Sequence, residues 1–178
     1  MKWRHVALAV ALVCASCVSA TTESVYNLGV EAWKHKKYEE AARLWTPALP
    51  EGNVNALNNL GYLYSTGLGV PKDPARAFQL WTIAARFGHS ESQWHIGYAY
   101  QHGEGVEADE IYSYAWYRCA QASAARLKRE NPDGTEQTIE NVAMASLKEL
   151  EPQLSAAALG HARELAQQLI DRYGTAAP

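Results

Sequence analysis

Cysteine, basic charge and long apolar runs are all scarce in this chain of 178 residues. Cys14 and Cys17 lie near the N-terminus and Cys119 stands alone after them, so the body of the chain cannot close an internal disulfide, even in an oxidising compartment. The uninterrupted apolar run Val6 to Val13 is far shorter than the ~20 residues a membrane-crossing helix needs, which excludes a transmembrane span. With 16 basic against 19 acidic residues there is no positive stripe to neutralise phosphates, so nucleic acid is excluded as a partner. Phenylalanine is nearly missing, at two residues, whereas six Trp and ten Tyr are present beside abundant alanine. Small residues that let helices approach, with large amphipathic rings in the gaps, favour helix packed on helix.

The first 20 residues form a separate block, with Lys2 and Arg4 ahead of the apolar run and Val18-Ser19-Ala20 behind it. A basic start, a short apolar centre and small residues at the end are the marks of a secretory signal, so cleavage is expected after Ala20. Removal of Lys2 and Arg4 from the 16 basic residues, against 19 acidic ones, leaves a net charge of −5. The expected location is the periplasm or the exterior. The alternative is lipid modification of Cys17, which follows Ala15-Ser16; it gives an anchor rather than a span, although Cys14 stands where a lipobox normally has leucine.

The strongest signal is an internal repeat. Residues 55–90 align without gaps on residues 91–126, with eight identities: Gly61/Gly97, Tyr62/Tyr98, Tyr64/Tyr100, Gly67/Gly103, Gly69/Gly105, Val70/Val106, Asp73/Asp109 and Ala84/Ala120. Leu60/Ile96, Phe78/Tyr114 and Trp81/Tyr117 are conservative swaps in the same frame. A period of this length marks a stacked helical hairpin, which buries its apolar face only against its neighbours. Each shared residue has a mechanical reading. Gly61 and Gly97 lack the side chain that would hold a second helix away, and the Gly-x-Gly-Val segments Gly67 to Val70 and Gly103 to Val106 end the first helix by admitting positive φ. Asp73 and Asp109 stand where the second helix needs a capping carboxylate, and Pro74 follows at the first helical position.

Upstream, Tyr26 to Gly52 reads as a shorter unit, with Leu28-Gly29 echoing Leu60-Gly61, a tight turn at Lys34 to Lys37, and Ala41, Leu44 and Trp45 matching Ala77, Leu80 and Trp81. Downstream, a long helix from Ala108 to about Arg129 is stopped by Asn131-Pro132-Asp133-Gly134. Two further helices, Thr135 to Leu150 and Ser155 to Tyr173, carry apolar residues at helical spacing and are expected to cap the array.

The order Ala-x3-Leu-Gly-x2-Tyr-x2-Gly-x-Gly-Val-x2-Asp-x3-Ala, followed by an aromatic and a paired Ala-Ala from Ala56 through Ala85, resembles the Sel-one-like repeat of the tetratricopeptide superfamily. Residues 91–126 match less fully, with Ser92, Ser113 and Gln121 replacing alanines. The resemblance implies an all-α, right-handed α-solenoid of about three hairpins plus two C-terminal capping helices. Its parts are a signal (1–20), a tetratricopeptide-like hairpin (21–54), two Sel-one-like repeats (55–90 and 91–126), and a linker with capping helices (127–178). The resemblance also implies that the first helix of each hairpin lines a concave surface for a peptide or protein partner. Its groove positions fall on Tyr26, Val30 and Trp33, then Asn58, Tyr62 and Ser65, then Trp94, Tyr98 and Gln101. Rings that bury much area with little entropy loss, beside amides that can bind a peptide backbone, suit recognition; packing between repeats is the competing use of the same rings.

The chain offers little for chemistry. Its six histidines are scattered, and His95 and His102, seven residues apart, lack further ligands for a metal. The glycine loops are followed by aspartate, not by the Lys and Ser/Thr of a phosphate loop. Some exported relatives in the repeat family are cysteine-rich and associated with β-lactams, but this chain has neither their cysteine pairs nor Ser-x-x-Lys. No cofactor, metal or catalytic set is therefore expected. The first reading is an exported scaffold that holds a protein or peptide. The alternatives are an envelope enzyme or ligand-binding protein for peptidoglycan fragments or β-lactams, and an adaptor without a groove ligand.

Overall fold

A computed structural model describes residues 15–48, 53–131 and 135–174; residues 1–14, most of the expected signal, lie outside the described residues. The described chain is entirely helical, in eight α-helices: α1 (Ala15–Lys34), α2 (Tyr38–Trp45), α3 (Val54–Thr66), α4 (Pro74–Arg86), α5 (Ser90–His102), α6 (Glu110–Glu130), α7 (Glu136–Leu150) and α8 (Ala156–Leu169). Consecutive helices pair as α1 with α2, α3 with α4 and α5 with α6, and each pair packs on the next. The result is a short α-solenoid with two added helices. α1 runs without a break through the expected cleavage point after Ala20.

The helix starts follow the sequence signals. Asp73 accepts from the Arg76 amide at 2.9 Å, with Pro74 opening α4, and Asp109 accepts from the amides of Ile111 and Tyr112 at 2.9 and 3.0 Å. Two caps lack a repeated signal: Asn53 caps α3, and His89 caps α5 through Nδ1. The helices α3 and α5 end on Gly67 and Gly103, which adopt left-handed φ of 77° and 68° and return their amides to Leu63 and Ala99.

Within each hairpin one glycine seats one aromatic ring. A Cβ on Gly61 would lie 2.5 Å from Trp81 Nε1, one on Gly97 would lie 2.6 Å from Tyr117 Cδ1, and one on Gly29 would fall on the Trp45 indole. The rings are buried, and the indole N–H groups of Trp45 and Trp81 each donate to a carbonyl of the first helix, those of Tyr26 and Asn58, at 3.2 Å. Close approach of the two helices and satisfaction of the buried N–H thus come from the same contact.

The second glycine of each loop joins neighbouring units. Gly69 lies against the backbone of Tyr38 and Glu39 at the start of α2, and Gly105 against that of Pro74 and Ala75 at the start of α4; both have left-handed φ. Each Gly-x-Gly loop therefore presses on the helix start of the preceding hairpin. At the start of α6 that place is taken by α8, which with Ile111 and Tyr112 encloses a cavity of about 350 Å³.

Candidate partner-binding site

The first helices of the three hairpins bring Val30 and Trp33 (α1), Asn58, Asn59 and Tyr62 (α3) and Glu91 (α5) around a cavity of about 220 Å³, with the buried Trp45 in its wall. Trp33 is its centre. Its ring meets Tyr62 edge-on at 5.4 Å, Tyr38 edge-on at 5.1 Å and Trp45 at 6.0 Å. Tyr62 remains 39% exposed, so one ring of the set is open to solvent at the mouth.

The polar wall is a connected network. Asn58, almost wholly buried, donates to Glu91 Oε2 at 3.1 Å and accepts from Ser92 Oγ at 2.9 Å. Asn59 Nδ2 reaches Tyr26 Oη at 3.4 Å. The His89 ring receives the Ser92 amide on Nδ1, which leaves Nε2–H to donate to Asn55 Oδ1 at 3.1 Å. Tyr26, Asn55, Asn58, Asn59, His89 and Glu91 also line a second cavity of about 490 Å³, closed on the far side by Glu136 and Ile139 of α7.

Burial shapes the charge of this wall. His95 lies face to face on Trp81, ring centroids 4.4 Å apart, and burial with nearby His89 pulls its pKa down to about 4. Burial pulls His89 down to about 4 as well. Both are neutral at neutral pH. Glu91 is held above the usual carboxylate range, first by burial and then by neighbouring Glu136, with the Asn58 hydrogen bond opposing. The Glu91 oxygen nearest His95 is 3.9 Å from Nε2, beyond hydrogen-bonding distance.

The nine positions implied by the resemblance separate into two groups. Val30, Trp33, Asn58 and Tyr62 share the first cavity, and Tyr26 stands in the second. Ser65 is turned to its own helix, donating to the Tyr62 carbonyl at 3.0 Å. The structure does not bring Trp94, Tyr98 and Gln101 into either cavity. α7 folds back along α5 there: Trp94 Nε1 reaches Ser146 of α7 at 3.3 Å, and Trp94 and Tyr98 pack with Tyr117, Leu147 and Leu150. Gln101 accepts the Tyr117 hydroxyl at 2.7 Å. Trp94 and Tyr98 thus pack at the junction with α7, and Gln101 ties α5 to α6. Asn59 and Glu91 were missed from the sequence, because neither occupies a position where the two repeats agree, and Trp45 was read only as the packing counterpart of Trp81.

Other chemistry is sparse. Cys119 is buried, with its thiol pushed up to about 12 by burial, so it is not a thiolate at neutral pH. Among the described residues no group of three His, Cys, Asp or Glu side chains could hold a metal ion, and no helix is long and apolar enough to cross a membrane. The side chain of Cys17, the candidate lipidation point, lies outside the described residues.

An α-solenoid of helical hairpins with an aromatic cavity between its first helices defines a class of repeat protein. The Sel1 repeat family model matches residues 54–89 and 90–120. Residues 54–120 thus carry two Sel1 repeats, consistent with a Sel1-like repeat protein of the tetratricopeptide superfamily. The chain is similar in structure to c5321, a protective antigen present in uropathogenic Escherichia coli strains that displays an SLR fold, at a TM-score of 0.75 and 26% identity over 89% of this chain. It spans only 32% of that protein's length. A Sel1 repeat protein from Oxalobacter formigenes matches 63% of this chain and 91% of its own, with a TM-score of 0.53 and 27% identity. No curated protein matches. Sel1 repeat proteins are generally protein-interaction scaffolds.

Proposed function

We propose that this protein is an exported scaffold that holds a protein or peptide segment on the face formed by α1, α3 and the start of α5. The observation that carries this is the cavity of Val30, Trp33, Asn58, Asn59, Tyr62 and Glu91, open at an exposed ring and lined by the buried amide of Asn58 and the half-buried amide of Asn59. Such a site offers one aromatic anchor and several groups able to hydrogen-bond an extended backbone. Export rests on the N-terminal block, with Cys17 as the point of a lipid anchor if the signal is of the lipoprotein kind.

The test is capture of partners from the native cells by the purified protein, compared with Tyr62→Ala. Tyr62 is partly exposed, so its removal should leave the fold intact while capture falls; undiminished capture would refute the placement of the site. Trp94→Ala serves as the contrast. Its indole is packed beneath α7, so it should lower stability instead. N-terminal sequencing of the mature chain tests export: Thr21 as the first residue supports cleavage after Ala20, and an acylated Cys17 supports the anchor.

A further inference from the structure

The cavity between α1, α3 and α5 holds one charged group, Glu91, among three aromatic rings. Among the described residues the one basic side chain within ion-pair distance of Glu91 is His95, which is neutral at neutral pH because burial on Trp81 pulls its pKa to about 4. The nearest other titratable groups make matters worse for the carboxylate: Glu136, which accepts from Ser90 at 2.6 Å, adds like charge, and His89 is neutral too. One Glu91 oxygen accepts from Asn58 Nδ2, and among the described residues the other is 3.9 Å from His95 Nε2, beyond hydrogen-bonding distance. The Glu91 side chain is 46% exposed, so among the described residues no cation of the fold meets its charge and solvent does.

The rings beside it have faces suited to a cation. Trp33, Trp45 and Tyr62 line the same space, and aromatic rings attract an ammonium or a guanidinium that reaches a face. A volume of about 220 Å³ corresponds to roughly seven waters at liquid density, enough for one long side chain and too small for a packed helix.

We propose that this cavity is a specificity pocket for a single lysine or arginine side chain, projecting from an extended segment of the partner, with Glu91 as its counter-charge and Trp33 and Tyr62 as its walls. The inference rests on the binding face proposed above and adds the chemistry that face selects. The aliphatic stem lies along the rings while the cation meets the second Glu91 oxygen.

The test uses an array of extended peptides probed with the purified wild-type protein, Glu91→Gln and Tyr62→Ala. The proposal expects wild-type binders to share a basic residue at one fixed position, and replacement of that residue by norleucine to weaken binding by about tenfold. Glu91→Gln, which keeps the hydrogen bond to Asn58 and the fold, should abolish the preference for the basic residue while retaining residual binding. Raised salt should weaken binding to the wild type more than to Glu91→Gln. Wild-type binders without a basic position, or an unchanged preference in Glu91→Gln, would overturn the pocket while leaving the binding face standing. Peptides that bind Tyr62→Ala as well as wild type, or no bound peptide at all, would overturn both.

Discussion

Replacing Gly61 by alanine places the repeat architecture under direct test. The new methyl would stand 2.5 Å from Trp81 Nε1, on the inner side of a ring that is 4% exposed. Trp81 cannot retreat, because its opposite side is stacked on His95 at 4.4 Å. Its N–H also holds the Asn58 carbonyl at 3.2 Å, and that bond must lengthen if the ring tilts. Alanine in a helix interior gains about 1 kcal/mol over glycine. Against this, overpacking costs about 1–3 kcal/mol, and loss of the buried hydrogen bond costs about 1 kcal/mol more. The net is destabilisation by about 1–3 kcal/mol, or a fall in Tm of about 3–10 °C for a domain of this size.

The same substitution at Gly160 supplies the control. Gly160 is exposed on α8, and a Cβ there meets nothing within 4 Å, so only the propensity gain remains. Gly160→Ala should raise Tm by about 2–4 °C. Thermal unfolding followed by circular dichroism, with tryptophan emission reporting the displaced indole, compares the two variants directly. If Gly61→Ala raised Tm as Gly160→Ala does, the glycine would be incidental and the account of how hairpins close would be wrong.

Gly105→Ala should cost more than Gly103→Ala: both have left-handed φ, but only the former drives a Cβ into the backbone of Pro74 and Ala75, and chemical denaturation should separate them by about 2 kcal/mol. Acid should destabilise the fold through His89 and His95, whose folded pKa values near 4 lie below the unfolded 6.5, so the unfolded chain binds more protons between those values. Tm should therefore fall as pH drops from about 6.5 to 4, partly offset by Glu91, whose raised pKa takes up a proton more readily in the folded state, and His95→Gln should flatten the slope. Cys119 should resist a thiol reagent at pH 8 in the native protein and react only at the rate of unfolding, which stopped-flow labelling in increasing denaturant would reveal.

Residues that repeat were easier to read than those of the cavity's polar wall, and the structure gives the reason. Gly61 and Gly97, Trp81 and Tyr117, and Asp73 and Asp109 perform identical tasks in successive units, so the period of 36 exposes them. The polar wall of the cavity is built from the opposite class. Asn58 and Asn59 align with Trp94 and His95, and Glu91 aligns with Asn55, so nothing in the repeat marks them. The loop glycines were legible as turns but not as contacts, because Gly105 touches Pro74, a residue of the preceding unit, and no local pattern encodes that distance. His89 as a helix cap was hidden for a simpler reason: its imidazole replaces the Ser, Thr, Asp or Asn side chain that usually signals a start.

The length of α6 decides how much of the first-helix face stays open. α4 has 13 residues and ends where the next hairpin begins, whereas α6 has 21 and carries the chain well past that point before it turns. α7 then returns along α6 and reaches α5, so that Ser146 meets Trp94 and Glu136 meets Ser90. Had α6 stopped after 13 residues, a fourth hairpin could have stacked on it and Trp94 would have stood on the open face beside Tyr62. Instead the chain's own helix occupies the third unit, and the open face shrinks to the junction of α1, α3 and the start of α5. A partner confined to so short a stretch cannot gain affinity by lying along many repeats. On the binding face proposed above it gains affinity from one anchor, so the proposal concentrates recognition at the ring set around Trp33 and at Glu91.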